Sequence, residues 1–147
     1  MIELRHAGIV VTDLKRALHF YCDLLGLKIL RSMEEKGAYL DNMLGHKDVL
    51  VTTVKLAAPQ GGALLELLYF RSPRTTPSPR RDLFALGPSH VAFTVEDMEA
   101  TFERLTRAGV QFNAPPQLSP DGLAKVTFCQ DPDGTPIELV EMLEVNG

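Results

Sequence analysis

The segment His6-Ala7-Gly8-Ile9-Val10-Val11-Thr12-Asp13 recurs in outline as His90-Val91-Ala92-Phe93-Thr94-Val95-Glu96-Asp97. Each copy opens on His, runs through a β-branched stretch and reaches Asp seven residues later. Each then enters a helical pattern and leaves it through a glycine, Gly26 or Gly109. The halves also close alike, on Leu64-Leu65-Glu66-Leu67-Leu68 and on Pro136-Ile137-Glu138-Leu139-Val140. A repeat constrains the fold more than any single motif, because both copies must adopt one supersecondary unit and bury its apolar face. Each half thus offers one early His and one late Glu inside strand-like apolar runs.

Taken in order, residues 2–11 predict a strand, with His6, Gly8 and Val10 on one face and Ala7, Ile9 and Val11 on the other. Thr12 and Asp13 suit a helix N-cap. Leu14, Ala17, Leu18, Tyr21, Leu24 and Leu25 then recur at helical spacing, with Lys15, Arg16, His19 and Asp23 opposite. A strand is predicted over 27–33, and a charged loop with at most a short helical turn over 34–48. Strands are predicted over 49–57 and 63–70, joined by Pro59-Gln60-Gly61-Gly62. The proline-bearing stretch 71–87 reads as a linker. The second half repeats the order: a strand over 90–95, then a helix capped by Asp97 with Met98, Phe102, Leu105 and Ala108 inward. A strand beginning at 110–113 is broken by Pro115-Pro116, and strands over 123–130 and 135–143 flank the turn Asp131-Pro132-Asp133-Gly134. The reading is one domain over 1–147, with repeats at about 2–70 and 88–143. Glu66 follows His6 by 60 residues and Glu138 follows His90 by 48, and the excess falls mainly in the 34–48 loop.

A net charge of −4 gives no general attraction to nucleic acid or to an acidic membrane. No apolar run is long enough to span a bilayer, and no signal-peptide pattern opens the chain. Cys22 and Cys129 lie far apart and read as reduced thiols, so a cytoplasmic location is expected.

Glu66 is the most anomalous residue, since its strand is otherwise apolar on both faces. A carboxylate there must pair with a cation, take a proton, bind a metal, or reach water at the strand edge. Glu138 poses the same question, with Glu141 and Glu144 following it toward solvent. His6 and His90, each taken alone, read as hydrogen-bonded core residues. The four together occupy equivalent positions of the repeat. Pairing of the halves about a pseudo-twofold axis would bring two imidazoles and two carboxylates to one point. That set suits one divalent ion: Zn²⁺, Ni²⁺ or Co²⁺, with Mn²⁺ or Fe²⁺ also served. His19 reads as solvated, and His46 as a loop residue. Arg71, Arg74, Arg80 and Arg81 read either as a solvated connector or as a clamp for an anionic substrate tail.

The chain resembles the vicinal oxygen chelate superfamily, the glyoxalase/bleomycin resistance protein/dioxygenase group. The resemblance rests on His6, Asp13-Leu14, Ala17-Leu18-His19-Phe20-Tyr21, Leu24, Gly26-Leu27, His90-Val91-Ala92-Phe93, Asp131-Pro132-Asp133-Gly134 and Ile137-Glu138-Leu139. It implies an α+β fold of two βαβββ modules whose curved mixed sheets enclose a metal cavity. His6, Glu66, His90 and Glu138 match the ligand order of short bacterial glyoxalase I enzymes. The resemblance further implies proton abstraction next to a carbonyl through a metal-stabilised enediolate, with Glu138 and Glu66 as both ligands and bases. Within the same superfamily it also admits an activity like that of methylmalonyl-CoA epimerase, or a non-catalytic drug-binding role of the bleomycin-resistance type. Four-stranded sheets have open edges that need covering, and the resemblance implies a homodimer acting on a small molecule.

Overall fold

The computed structural model describes residues 1–78 and 82–144. The chain divides into two compact units, Met1–Pro77 and Ser78–Gly147. The first contains β1 (His6–Val10), α1 (Leu14–Leu18), β2 (Lys28–Lys36), α2 (Ala38–Leu44), β3 (Leu50–Ala57) and β4 (Leu64–Ser72). The second contains β5 (Val91–Thr94), α3 (Met98–Arg107), β6 (Gln117–Leu118), β7 (Ala124–Gln130) and β8 (Pro136–Met142). The sheet orders are β1-β4-β3-β2 and β5-β8-β7-β6. In each, the first strand runs parallel to the last and the other pairs are antiparallel. This is the expected α+β pair of βαβββ modules.

In the first unit one sheet face supplies the core: Ile9 and Val11, Leu65 and Leu67, Val54 and Leu56. The helix lies on it. Asp13 caps α1, its Oδ1 accepting the Arg16 N–H at 3.0 Å. The helix does not continue regularly. A π turn over His19–Leu24 follows α1 and buries Phe20 beside Tyr21, ring centroids 4.9 Å apart and edge to face. Buried Ala17, Phe20 and Tyr21 stand at i, i+3 and i+4, so one helix face carries all three inward.

β1 begins at His6, not at residue 2, because its partner runs out. His6 is paired with Leu64, the first residue of β4, and Arg5 contributes only a carbonyl to the Leu64 N–H at 3.1 Å. The 34–48 stretch departs most from expectation. Residues 34–36 complete β2, and α2 follows as a full two-turn helix. Leu40 packs with Val49 and Val51 against Leu68 and Phe70. Asp41 latches the far end, its carboxylate accepting the N–H groups of Asp48 at 3.0 Å and Val49 at 2.9 Å. Sheet pairing also extends β4 two residues into the expected linker.

In the second unit Asp97 caps α3 by accepting the Ala100 N–H at 3.0 Å, and Met98 and Leu105 are buried. Ala108 is exposed, since it is the C-cap residue and lies past the inward stripe. Residues 110–113 form only an isolated bridge, Phe112 to Cys129, and the fourth strand is delayed past the two prolines to β6. Glu141 does not face open solvent. Its Oε2 accepts the Met98 N–H at 2.8 Å at the start of α3, where a carboxylate is favoured.

Cys22 and Cys129 are both free thiols. Burial, and to a lesser extent the charge of Asp131, pushes the Cys129 thiol up to about 12. The folded chain therefore keeps a proton that the unfolded chain, with its thiol near 9.0, gives up first. Stability is predicted to fall as pH rises from about 9 toward 12, by on the order of a few kcal/mol. Urea midpoints measured across that range for the native chain and for Cys129→Ala check this: the slope attributable to the thiol disappears in the variant.

Candidate functional site

The two-residue period of β4 turns Leu65 and Leu67 into the core and Glu66 to the opposite face. On that face β1 presents His6, Gly8 and Val10, with Gly8 paired to Glu66. His6 Nε2 lies 3.9 Å from Glu66 Oε1. The Glu66 side chain is only 15% exposed, so the carboxylate is not an edge group trailing into water. A Cβ at Gly8 would stand 3.1 Å from Leu68 Cδ1, so the absence of a side chain there makes room for that leucine.

The second unit repeats the arrangement more tightly. Ile137 and Leu139 are fully buried, and Glu138 turns the other way, paired with Ala92 of β5. His90 Nε2 lies 2.9 Å from Glu138 Oε2. The His90 ring stands edge to face with Phe128, centroids 5.1 Å apart, and Phe128 is the β7 partner of Glu138. His90 Nδ1 is 3.0 Å from Ser89 Oγ, whose hydroxyl donates to the Leu83 carbonyl at 2.9 Å. His6 has no such support, and its Nδ1 is buried without a hydrogen-bond partner among the described residues.

Each unit therefore brings its own His and Glu together. Among the described residues, no three His, Cys, Asp or Glu side chains gather in one group able to hold a metal. The donors of each pair nevertheless suit a shared ion. Two ligands about 2.1 Å from one cation stand roughly 3.0–3.4 Å apart, and the observed 2.9 and 3.9 Å bracket that spacing. Each pair offers one nitrogen donor and one carboxylate, ligand types that suit a borderline dication.

The remaining candidates separate clearly. His19 is exposed and pairs with Asp23 one helical turn on, at 2.8 Å. His46 is exposed beyond α2. Arg71 is held by Glu34 and by the Thr52 hydroxyl, so it braces the sheet and is not a free clamp. Arg74 is exposed, and Arg80 and Arg81 lie outside the described residues. Asp131-Pro132-Asp133-Gly134 is a turn, as expected. Buried Asp131 accepts the N–H groups of Asp133 and Thr135, both at 2.9 Å.

Two cations on the Glu66 face went unremarked in the sequence. Lys55 of β3 is the direct cross-strand partner of Glu66, and Arg31 of β2 is the partner of Lys55. Among the described residues, only His6 comes within ion-pairing distance of Glu66. The signal was available: Lys55 is the one charged residue of β3 and shares its alternation with Thr53. Thr53 itself donates to Glu35 at 3.0 Å on the same face.

The fold has relatives among known proteins. An uncharacterized Escherichia coli protein, YaeR, is 30% identical over 95% of both chains. A lactoylglutathione lyase of Haemophilus influenzae is 28% identical, covering 95% of this chain and 93% of its own. The crystal structure of a glyoxalase-family protein from Bacillus cereus superposes with a TM-score of 0.89 at 25% identity, over 98% of this chain and 96% of that one. Residues 3–139 match the profile of the Glyoxalase/Bleomycin resistance protein/Dioxygenase superfamily. With two βαβββ modules, each turning one His and one Glu to the face opposite its helix, this chain belongs to that superfamily.

Proposed function

We propose that the chain is a divalent-metal-dependent lyase or isomerase of the glyoxalase I type. The observation that carries the reading is the repeated His–Glu pair, at the same strand positions in both units. His6, Glu66, His90 and Glu138 would supply four ligands to one ion, either within one chain or across a homodimer. A bound divalent ion supplies Lewis-acid stabilisation for negative charge developing on substrate oxygens. Glu138 takes the proton from the carbon next to the carbonyl. The same proton, or one carried by Glu66, is returned to the neighbouring carbon, so the reaction is an internal redox isomerisation with no external oxidant. Relatives named lactoylglutathione lyase support a thiol hemithioacetal as substrate. A cytoplasmic location suits such a substrate.

Lys55 and Arg31 stand on the same face as Glu66 and would hold an anionic tail of that substrate. Lys55→Ala is expected to raise KM about tenfold, with kcat little changed, as loss of one charge-assisted contact implies. Steady-state kinetics separate the two parameters.

Elemental analysis of the purified protein, followed by ultraviolet assays with methylglyoxal–glutathione hemithioacetal and with methylmalonyl-CoA, tests the whole reading. Near-stoichiometric divalent metal with turnover of the hemithioacetal is expected. Turnover of the acyl-CoA alone would reassign the substrate. Absence of both metal uptake and turnover would leave a small-molecule binding protein and overturn the proposal.

A further inference from the structure

The two histidines are equivalent in the repeat but not in their surroundings. Ser89 Oγ has a single proton, and that proton is directed at the Leu83 carbonyl, 2.9 Å away. The oxygen is then only an acceptor toward the His90 ring, and Nδ1 at 3.0 Å must be the donor. If Nδ1 carried a lone pair instead, Ser89 would have to give up its bond to the Leu83 carbonyl, or two lone pairs would face each other at hydrogen-bond distance. We propose that Ser89 is a positioning residue for His90. It fixes the proton on Nδ1 and the ring plane, and so presents Nε2, on the Glu138 side, as the metal-binding nitrogen.

The inference holds whichever partner carries the proton between Nε2 and Glu138, because it concerns the other ring nitrogen. Phe128 limits ring rotation from the side, edge to face at 5.1 Å. The first unit lacks the device. The residue before His6 is Arg5, and the buried His6 Nδ1 finds no partner among the described residues. The half-sites are therefore unequal, and the second is the better organised before any ion arrives. Preorganisation of this kind improves affinity by reducing the ordering cost at binding.

The proposal rests on reading His90 as a ligand, so its test has one arm that needs no metal. Nitrogen-15 spectra of histidine-labelled, metal-free protein are expected to show a proton bonded to His90 Nδ1, protected from exchange. Ser89→Ala is expected to lose that protected signal, whereas Ser89→Thr, which keeps the hydroxyl, retains it. Chelator competition with Zn²⁺ forms the second arm. Ser89→Ala is expected to bind the ion about 10–100-fold more weakly, as outer-sphere partners of ligating histidines generally do when removed, with Ser89→Thr restoring most of the affinity. An unprotonated Nδ1 in the native chain overturns the proposal, and so does unchanged zinc affinity in Ser89→Ala. If the native chain binds no zinc, the metal reading fails while the nitrogen spectra still decide the role of Ser89.

Discussion

Glu138→Gln is expected to lower turnover of the hemithioacetal by two to four orders of magnitude while retaining much of the metal. Gln keeps the size of the side chain and one oxygen donor but cannot accept a proton from carbon. A positioned general base contributes about 10²–10⁴-fold, and this pair is the tighter of the two, with His90 Nε2 at 2.9 Å from the carboxylate. Glu66→Gln supplies the contrast. Its carboxylate lies 3.9 Å from His6, in the looser pair, and the residue is the cross-strand partner of Lys55. The smaller loss is expected there, and equal losses would indicate that both carboxylates exchange protons with the substrate. His6→Ala and His90→Ala act differently, since each removes a ligand outright and should empty the site first. Metal content measured beside kcat for all four variants distinguishes base from ligand. A Glu138→Gln protein with full metal and native kcat would remove Glu138 as the base.

Asp131→Ala is expected to be among the most destabilising single changes outside the apolar core, by about 2–4 kcal/mol. The Asp131 side chain is buried, and one of its oxygens accepts two backbone N–H groups, from Asp133 and Thr135. Alanine leaves both donors without that acceptor where water reaches poorly. The turn also delivers the chain into β8 at Pro136, two residues before Glu138, so activity should fall with stability. Asp131→Asn keeps one acceptor oxygen and should cost clearly less. Thermal melts of the two variants check the order: a drop of roughly 10 °C is expected for alanine and a smaller one for asparagine. Equal melting temperatures would show that the charge, and not the hydrogen bonds, matters there.

Much of the fold could be read from the sequence because the chain states it twice. The spacing of His and Asp at the head of each half, and of Glu within each closing strand, does not depend on any single propensity. The expected convergence of His6, Glu66, His90 and Glu138 rested on strand period and repeat position, and the structure shows one His–Glu pair within each unit. What escaped has local causes. Helix α2 is seven residues long, too short to display a periodicity of its own, and it is held by the Asp41 carboxylate reaching across to Asp48 and Val49. Lys55 is the one charged residue of β3, and its significance comes from its pairing with Glu66, which the sequence alone does not reveal. Glu141 was assigned to solvent because the start of α3, where its carboxylate caps the Met98 N–H, is 43 residues away in sequence. Ser89 carries no motif at all; its role depends on where Leu83 places a carbonyl.

The π turn after α1 explains a small mismatch between the halves. Thirteen positions separate the cap Asp13 from the closing glycine Gly26, but twelve separate Asp97 from Gly109. Both glycines sit in the left-handed region, with φ of 83° and 87°, so both helices end the same way. The first half carries one residue more between matching ends, and a wider turn takes up an extra residue without moving them. The π turn over His19–Leu24 is thus the place where the first half can hold its extra residue while both ends keep their geometry. A one-residue deletion within 19–24 should therefore be tolerated by the backbone, with Asp13 and Gly26 left in place. The same deletion in α3 has no surplus residue to remove and would drag Asp97 or Gly109 out of position.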